Sequence, residues 1–557
     1  MLYQELNAIQ KAHRFLPANQ LQFLSRKMGV PVSKIHAVAS FYPHFRLTPP
    51  PTVDVRVCAD MSCHLRGGCE MKKKLVETFS RLGESQFTIR DVSCLGRCDE
   101  APALDINDQI HSGLSPASAV ALVQDVFAGL PRPPEIHPRP KVPLASDPYD
   151  GEGRYEVVRR FVETRDWQGV IATLKASTLR GMGGAGFPTG TKWEIVRNAP
   201  GAEKYIVCNA DESEPGTIKD RYIMERMPHM LVEGMIVAGL VTGARKGYLY
   251  IRHEYEEQQE VLQHEIRRCY QNGIIGRRVM GSDLSYDLEL FISPGGYICG
   301  EESALLEAIE GHRAEPRNKP PFPGTNGLWN QPTVINNVET FTCATLILHR
   351  GVDWYKAQGR NGSVGLKFVG ISGDVNRPGV FEVPMGTPYR ELIYDYAGGI
   401  AGGKQLLGFA PSGPSSGYLP ASMIDLPLDW NKVAAVGSMV GSGAIVVCDE
   451  NTCMLDMALN ATKFFRNESC GKCVPCRMGS QKMVDMLTGW TQSKANPGDL
   501  ALLEELSKAM KLTSICGLGQ VVPLPIQSVL QHFRADVEQH VNNQRCPAGV
   551  CFQGRTA

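Results

Sequence analysis

The sequence predicts a multidomain α/β chain ending in a helical bundle, and three observations lead there. Its 557 residues exceed what one core organises, and the usual domain size of roughly 100–200 residues implies about three to five domains. Strand-like runs alternate with helical periodicity to about residue 350, the order that builds a mostly parallel sheet covered by helices. From Met454 onward the helical period returns, as expected of a bundle.

Composition narrows the function classes. Apolar residues make up 43% and charged residues 21%, with a formal charge of zero. This is an ordinary globular balance without the basic footprint of a nucleic-acid binder. The most apolar stretch, Leu231 to Ala244, contains Glu233 and is shorter than the roughly 20 residues of a membrane span. The N-terminus (Leu2, Leu6 and Ile9 with Glu5, Lys11 and Arg14) is amphipathic and lacks the apolar core of a secretory signal. A cytoplasmic protein without membrane insertion is expected. In such a large chain the 17 cysteines point to metal or redox chemistry rather than disulfides.

Along the chain, residues 1–50 read as three short helices broken near Pro17 and Pro31, with Ser33 as a cap. Residues 51–130 read as a compact α/β unit, with strands Val53 to Cys58, Phe87 to Val92 and Ala103 to Ile106 around a helix that stops at Gly83. Seven prolines between Pro131 and Pro148 predict an extended linker over 131–150. The largest α/β domain is expected over 151–355, a small Gly- and Val-rich β domain over 360–440, a helical bundle with Asp499 as a cap over 441–540, and a tail over 541–557.

Two cysteine sets have ligand spacing. Cys58-x4-Cys63 and Cys94-x3-Cys98, 30 residues apart, each follow a predicted strand, so both loops meet at one sheet edge. Four thiolates on such loops suit a [2Fe-2S] cluster. A structural zinc is the alternative, although zinc favours x2 spacing. Cys470, Cys473 and Cys476 at x2 spacing, with Cys516 following after 39 residues, fit three corners and a distant fourth of a [4Fe-4S] cubane, with zinc again the alternative. Lys472 and Arg477 add positive charge there. Cys69, Cys208, Cys269, Cys299, Cys343, Cys448 and Cys453 lack such spacing and read mostly as small buried hydrophobes. The tail pair Cys546-x4-Cys551 reads either as a cluster remnant or as a subunit contact.

Gly181, Gly183 and Gly186 show a GxGxxG spacing, but a helical segment precedes them and Pro188 follows. The strand-turn-helix context of a dinucleotide fingerprint is therefore missing. The exposed amides of such a loop, with Lys192, suit a phosphate of another kind. Asn209-Ala-Asp211-Glu212-Ser-Glu214 and Tyr297-Ile-Cys-Gly300-Glu301-Glu302 lie at strand ends, the usual ligand edge of an α/β sheet. Their polar groups suit a flavin ring and ribose hydroxyls, or equally a solvated loop. Lys319-Pro-Pro-Phe322 brings a cation and an aromatic ring.

Taken together, Gly181 to Trp193, Asn209 to Gly216, Tyr297 to Glu302, Lys319 to Pro323, Asn336-Asn337 and the Cys470 set resemble the NADH-binding flavoprotein subunit of respiratory complex I. Residues 1–128 resemble its thioredoxin-like [2Fe-2S] partner, and the fusion is similar to the diaphorase subunits of NAD-dependent formate dehydrogenases and NAD-reducing hydrogenases. The resemblance implies a thioredoxin-like ferredoxin domain, a Rossmann-like FMN domain, a β-grasp domain and a [4Fe-4S] helical bundle. It implies one member of a hetero-oligomer, exchanging electrons between NAD(H), FMN, [4Fe-4S] and [2Fe-2S] with a separate catalytic Fe-S subunit. It places Gly181, Gly183, Gly184, Lys192, Asn209, Asp211, Glu212, Tyr297, Gly300, Glu301, Asn336, Asn337 and Thr340 at FMN, and Phe187, Glu214, Glu302, Lys319 and Phe322 at NAD, with Glu214 near the nicotinamide. Two residues depart from the family pattern: Met182 stands where Arg is usual and Ile195 where an aromatic is common.

Overall fold

A computed structural model describes residues 2–130, 144–149, 153–496 and 498–552. Three sheets organise the chain. β1 (Val53–Cys58), β2 (Phe87–Val92), β3 (Ala103–Ile106) and β4 (Gln109–Ser112) form the first, in the order β2-β1-β3-β4. β1 and β2 run parallel with Cys58 beside Val92, so the loops leaving both strands emerge at one edge. Helices Gly68–Phe79 and Pro116–Phe127 pack Met71, Leu75, Ala119 and Val123 onto Val53, Val55 and Val57. The first of these ends at Phe79 rather than at Gly83.

The second sheet is fully parallel: β5 (Tyr205–Ala210), β6 (Lys246–Arg252), β7 (Asp287–Ser293) and β8 (Thr333–Asn337), in the order β7-β6-β5-β8. Such a sheet is buried on both faces. The most apolar stretch of the sequence is the buried helix Pro228–Thr242 across this sheet. Its Glu233 is fully buried and caps the helix Glu156–Thr164 by accepting the Val157 N–H at 2.8 Å. Among the described residues no helix is long and apolar enough to cross a membrane.

The third sheet comprises β9 (Leu366–Gly373), β10 (Gly379–Pro384), β11 (Leu406–Ala410), β12 (Leu419–Pro420) and β13 (Ala444–Asp449), in the order β10-β9-β13-β11-β12. β13 sits in its middle, beyond the boundary expected at residue 440. Every β13 residue is buried, so the strand reads as a plain apolar run without alternation. The helices that follow, Met454–Glu468, Val474–Thr491, Asp499–Thr513 and Leu524–His532, form the bundle.

Three local expectations are corrected. Ser33 is not a cap: the helix Val32–Ala39 starts one residue earlier, with Pro31 at its N-cap. Asp499 begins its helix, behind Gly498, and its carboxylate accepts from the Trp490 ring N–H at 3.0 Å. The N-terminal helices are not a separate bundle. Leu2, Tyr3, Leu6, Tyr42 and Phe45 share one core with Phe291 and Ile309 of the parallel-sheet domain, and the Tyr42 hydroxyl donates to the His312 carbonyl at 2.6 Å. The expected linker lies largely outside the described residues, as do residues 553–557 of the tail. The linker's end is pinned: the Ala145 and Ser146 N–H groups donate to the Glu382 carboxylate at 2.7 and 2.8 Å.

Candidate redox site

The four N-terminal cysteines converge at the edge of the first sheet. All are buried, and the Cys94 and Cys98 sulfurs stand 3.4 Å apart. Cys58 lies in hydrogen-bonding reach of Cys63 and Cys94. Backbone N–H groups of Gly96 and Gly216 reach Cys94 and Cys98 at 3.4 and 3.2 Å, donors of the kind that tune thiolate-bound clusters. Gly216 belongs to the acidic loop after β5, so the ferredoxin edge is docked on the parallel-sheet domain.

Two buried arginines hold it there. Arg221 donates to the Gly96 carbonyl at 2.8 Å and grips Asp99 through two bonds of 2.8 Å. Arg252 donates to the Cys94 carbonyl at 2.7 Å and pairs with Glu254 at 2.8 Å. Asn460 accepts from the Met61 N–H and donates to the Ala59 carbonyl, at 2.8 and 2.7 Å. The Ser62 hydroxyl meets Ser372 at 2.8 Å. The cysteine loops thus lie where their own domain meets the other three.

Cys470, Cys473, Cys476 and Cys516 line one cavity with Ile298, Ile515, Leu518 and Pro316. Four thiols converging on an apolar-walled cavity fit a cubane. Lys472 donates to the Pro316 carbonyl at 2.7 Å and Arg477 to that of Gly471. The wall residue Ile298 follows Tyr297, whose ring packs 5.1 Å from Phe464 on the helix leading to Cys470. Glu468, at that helix's end, accepts the Tyr297 N–H at 2.6 Å and also hydrogen-bonds Ser93 beside Cys94. One half-buried carboxyl therefore touches both cysteine regions and the Tyr297 turn. A cavity of 990 Å³ opens beside it, lined by Ser93, Cys94, His253, Glu254, Tyr297 and Glu468.

The flavin-loop residues gather at the C-terminal edge of the parallel sheet. Gly184 and Gly186 have φ of +124° and +64°, and a Cβ on Gly183 would lie 2.9 Å from the Asn337 Cβ, so only glycine lets the loop lie this close. The backbone N–H of Met182, whose buried side chain stands where Arg is usual, donates to the Thr340 hydroxyl at 2.9 Å. Gly181 N–H bonds the Phe187 carbonyl at 2.9 Å, closing the loop. Lys192 reaches the Ile335 carbonyl at 2.9 Å, and burial holds its ammonium below the usual range. An anion beside it would offset that penalty. Asn209 donates to the Gly300 carbonyl at 2.8 Å. Asp211 keeps one buried oxygen without a partner, and burial lifts its carboxyl to about 7. A glycine cradle, a desolvated lysine and an unpartnered buried carboxyl oxygen fit a phosphorylated flavin.

Other expected contacts are already engaged. Asn336 accepts from Trp193 at 3.0 Å. Asn337 caps the helix Val338–Arg350 and donates to Asp220 at 2.6 Å, within a buried network of Lys219, Glu339 and Lys367. Glu212 accepts the N–H groups of Asp220 and Arg221 and the Tyr255 hydroxyl. Glu301 caps the helix Glu302–Ile309, and Lys319 bridges Glu301 and Glu302 at 2.8 and 2.6 Å. Glu214 accepts the Ser415 N–H at 3.2 Å, and burial lifts its carboxyl to about 7. Phe187 and Phe322 are 44% and 58% exposed, which leaves their rings available to a planar ligand. Ile195 is also exposed, against Gly324. Sequence reasoning missed Arg221, Arg252 and Glu468. Arg252 ends a parallel strand and was findable by the strand-end rule, whereas Arg221 and Glu468 sit on helices without a local signal.

Family models match in order along the chain: the thioredoxin-like [2Fe-2S] ferredoxin over residues 1–126, the Nuo51 FMN-binding domain over 174–345, the SLBB domain over 368–418, and the NADH-ubiquinone oxidoreductase-F iron-sulfur binding region over 456–540. The chain is 42% identical to the second F-type subunit of the NADH-quinone oxidoreductase of Rhizobium meliloti, over 72% of this chain and 95% of the relative. It is also 42% identical to the NADP-reducing hydrogenase subunit HndC of Solidesulfovibrio fructosivorans, over 69% and 78%. A chain of the NAD+-reducing [NiFe]-hydrogenase solved in the H2-reduced state superposes with a TM-score of 0.87 at 32% identity, covering 98% of this chain and 94% of that one. This protein belongs to the family of NADH-quinone oxidoreductase F-type subunits, and is an FMN iron-sulfur oxidoreductase that carries a thioredoxin-like [2Fe-2S] domain on the same chain.

Proposed function

We propose that this chain is the NADH-handling diaphorase subunit of a cytoplasmic multi-subunit enzyme of the hydrogenase or formate dehydrogenase type. The observation that carries this reading is coverage. The Rhizobium quinone-reductase relative aligns over 72% of this chain, whereas the hydrogenase chain spans 98%, the [2Fe-2S] domain included. In this reading Cys58, Cys63, Cys94 and Cys98 hold the [2Fe-2S] cluster, and Cys470, Cys473, Cys476 and Cys516 the [4Fe-4S] cluster. Gly181, Gly183, Gly184 and Lys192 receive the FMN phosphate. Asn209, Asp211, Tyr297, Gly300 and Thr340 surround the ring, while Glu212, Glu301, Asn336 and Asn337 hold those loops in place. Bound FMN supplies the conversion between a two-electron hydride donor and one-electron clusters.

The chain's own part is to orient and to shield. Phe187 and Phe322 offer exposed faces for the nicotinamide or adenine, Glu214 lies ready to bond the carboxamide, and Glu302 with Lys319 meets the adenosine ribose. The exposed side chains Val474, Met478, Leu512 and Ile515, at 58, 59, 71 and 37%, lie within four residues of the quartet's cysteines along the chain and suit a catalytic Fe-S subunit docking there. The test is to purify the complex by a tag on this chain and supply hydrogen, formate or NADH anaerobically. NADH should reduce the flavin, and hydrogen or formate should do so only with the partner attached. Flavin that NADH leaves oxidised would overturn the reading.

A further inference from the structure

The two cysteine quartets leave nine cysteines unused, and three of these meet one histidine. The ligand atoms of Cys453, His540, Cys546 and Cys551 all lie within 4.8 Å of one another, and all four residues are buried. Among the described residues this is the one group of four metal-ligating side chains packed that closely. Cys453 stands at the N-cap of the helix Met454–Glu468. His540 lies on the last helix, Arg534–Asn543, and the other two cysteines follow in the tail. Neither the apolar reading of Cys453 nor the subunit-contact reading of the tail pair accounts for this convergence.

The distances fit one kind of centre. In a tetrahedral zinc site with Zn–S near 2.3 Å and Zn–N near 2.05 Å, two sulfurs stand about 3.8 Å apart, and a sulfur and a nitrogen about 3.6 Å. The Cys453 and Cys551 sulfurs are 3.7 Å apart, and His540 Nε2 is 3.5 Å from the Cys453 sulfur. A disulfide would need about 2.05 Å, and all three thiols are free. His540 Nδ1 lies 2.7 Å from the Asp536 carbonyl. A carbonyl only accepts, so Nδ1 carries the proton and Nε2 presents its lone pair to the sulfurs. This is the outer hydrogen bond that fixes a ligating imidazole. Backbone N–H groups of Val550 and Cys551 bond the Cys546 sulfur, a loop shape helped by Gly549 at φ +68°.

We propose that Cys453, His540, Cys546 and Cys551 bind a structural zinc ion. Four protein ligands leave no open position, and zinc has no redox chemistry, so the ion carries no electrons. It ties the chain's tail to the start of the helix whose far end bears Glu468 and leads into Cys470.

The complex, purified under reducing conditions without added metal, is analysed for zinc, iron and FMN by mass spectrometry and for zinc environment by X-ray absorption. One zinc per FMN is expected, with three sulfurs near 2.3 Å and one nitrogen near 2.0 Å, beside the iron of one [2Fe-2S] and one [4Fe-4S] cluster. Cys551→Ser should lower bound zinc at least tenfold and leave FMN and iron unchanged. Should that variant fail to accumulate, the wild-type absorption spectrum alone decides. Absence of zinc, iron in its place, an oxygen-rich coordination shell, or a Cys551→Ser protein that retains its zinc would each overturn the proposal.

Discussion

The two cysteine quartets differ in how the fold holds them. Cys58, Cys63, Cys94 and Cys98 are buried at a four-domain junction, with Arg221, Arg252, Asn460 and Ser372 gripping the surrounding backbone and side chains. Of the second quartet only Cys476 is buried. Cys470, Cys473 and Cys516 are half-buried, and the exposed apolar side chains Val474 and Ile515 lie beside them. The contrast separates two tasks. In the proposed function, a cluster enclosed by its own chain would exchange electrons inside that chain, while a cluster under an apolar surface would exchange them with a partner.

Removing one ligand from each site tests this most severely. Cys473→Ala should abolish the [4Fe-4S] electron paramagnetic resonance signal and all partner-linked turnover, while NADH still bleaches the flavin. Cys94→Ala should lose only the [2Fe-2S] signal and keep partner-linked turnover. The comparison breaks if Cys473→Ala leaves that turnover intact, or if a folded, assembled Cys94→Ala protein loses it.

The grip on the first quartet can be weakened without touching a ligand. Arg221→Met removes the fully buried guanidinium that grips Asp99 and the Gly96 carbonyl, and breaking an ion pair with a buried member ordinarily costs up to about 3–5 kcal/mol. We expect a lower-temperature transition in which the [2Fe-2S] chromophore bleaches before the flavin is released, followed by visible absorbance on heating. A single transition unchanged from wild type would show that the ferredoxin domain does not depend on this staple.

Much of this is legible in the sequence because cysteine spacing and strand-end loops are local. Cys58 and Cys94 each follow a short strand, and parallel pairing of those strands suffices to bring them together. β13 escapes such a reading because burial on both faces erases alternation. Asn337 and Glu212 are expected beside the flavin, yet their oxygens also accept from Lys219 and from the Asp220 and Arg221 N–H groups. A polar loop residue shows that a partner is needed, but only the fold shows which one. Cys453 reads as a hydrophobe because His540 and Cys551, its neighbours in space, lie far along the chain.

The acidic loops sharpen the comparison at a smaller scale, because in the proposed function they face nucleotide rather than a partner. Glu302 pairs with Lys319 and stays partly exposed, so its repulsion of a 2′-phosphate is screened to about 1–2 kcal/mol. Wild-type protein should reduce an artificial acceptor faster with NADH than with NADPH. Glu302→Ala should raise the NADPH-to-NADH ratio of kcat/KM about tenfold. Equal wild-type rates would show that Glu302 does not discriminate between the two nucleotides, a pointed outcome given that one relative is named as NADP-reducing, and an unchanged ratio in Glu302→Ala would place discrimination elsewhere.

Glu214 should give the smallest effect, and one whose sign is informative. Its folded carboxyl titrates near 7, raised by burial and pulled back only in part by the Ser415 hydrogen bonds, whereas the unfolded group titrates at about 4.3. The folded state therefore keeps the proton longer. Its contribution to stability is full below the unfolded value and declines as pH rises toward 7. Activity should move the other way if the ionised carboxylate is the form that accepts from the carboxamide. At pH 7 about half the molecules carry that form, so ionising the rest can raise the rate of flavin reduction by NADH only about twofold. Glu214→Gln should flatten both profiles between pH 6 and 8, measured by stopped-flow bleaching and by melting temperature. A variant that flattens stability but leaves the rate profile unchanged would confine Glu214 to holding the Ser415 turn, and would remove it from the nucleotide site.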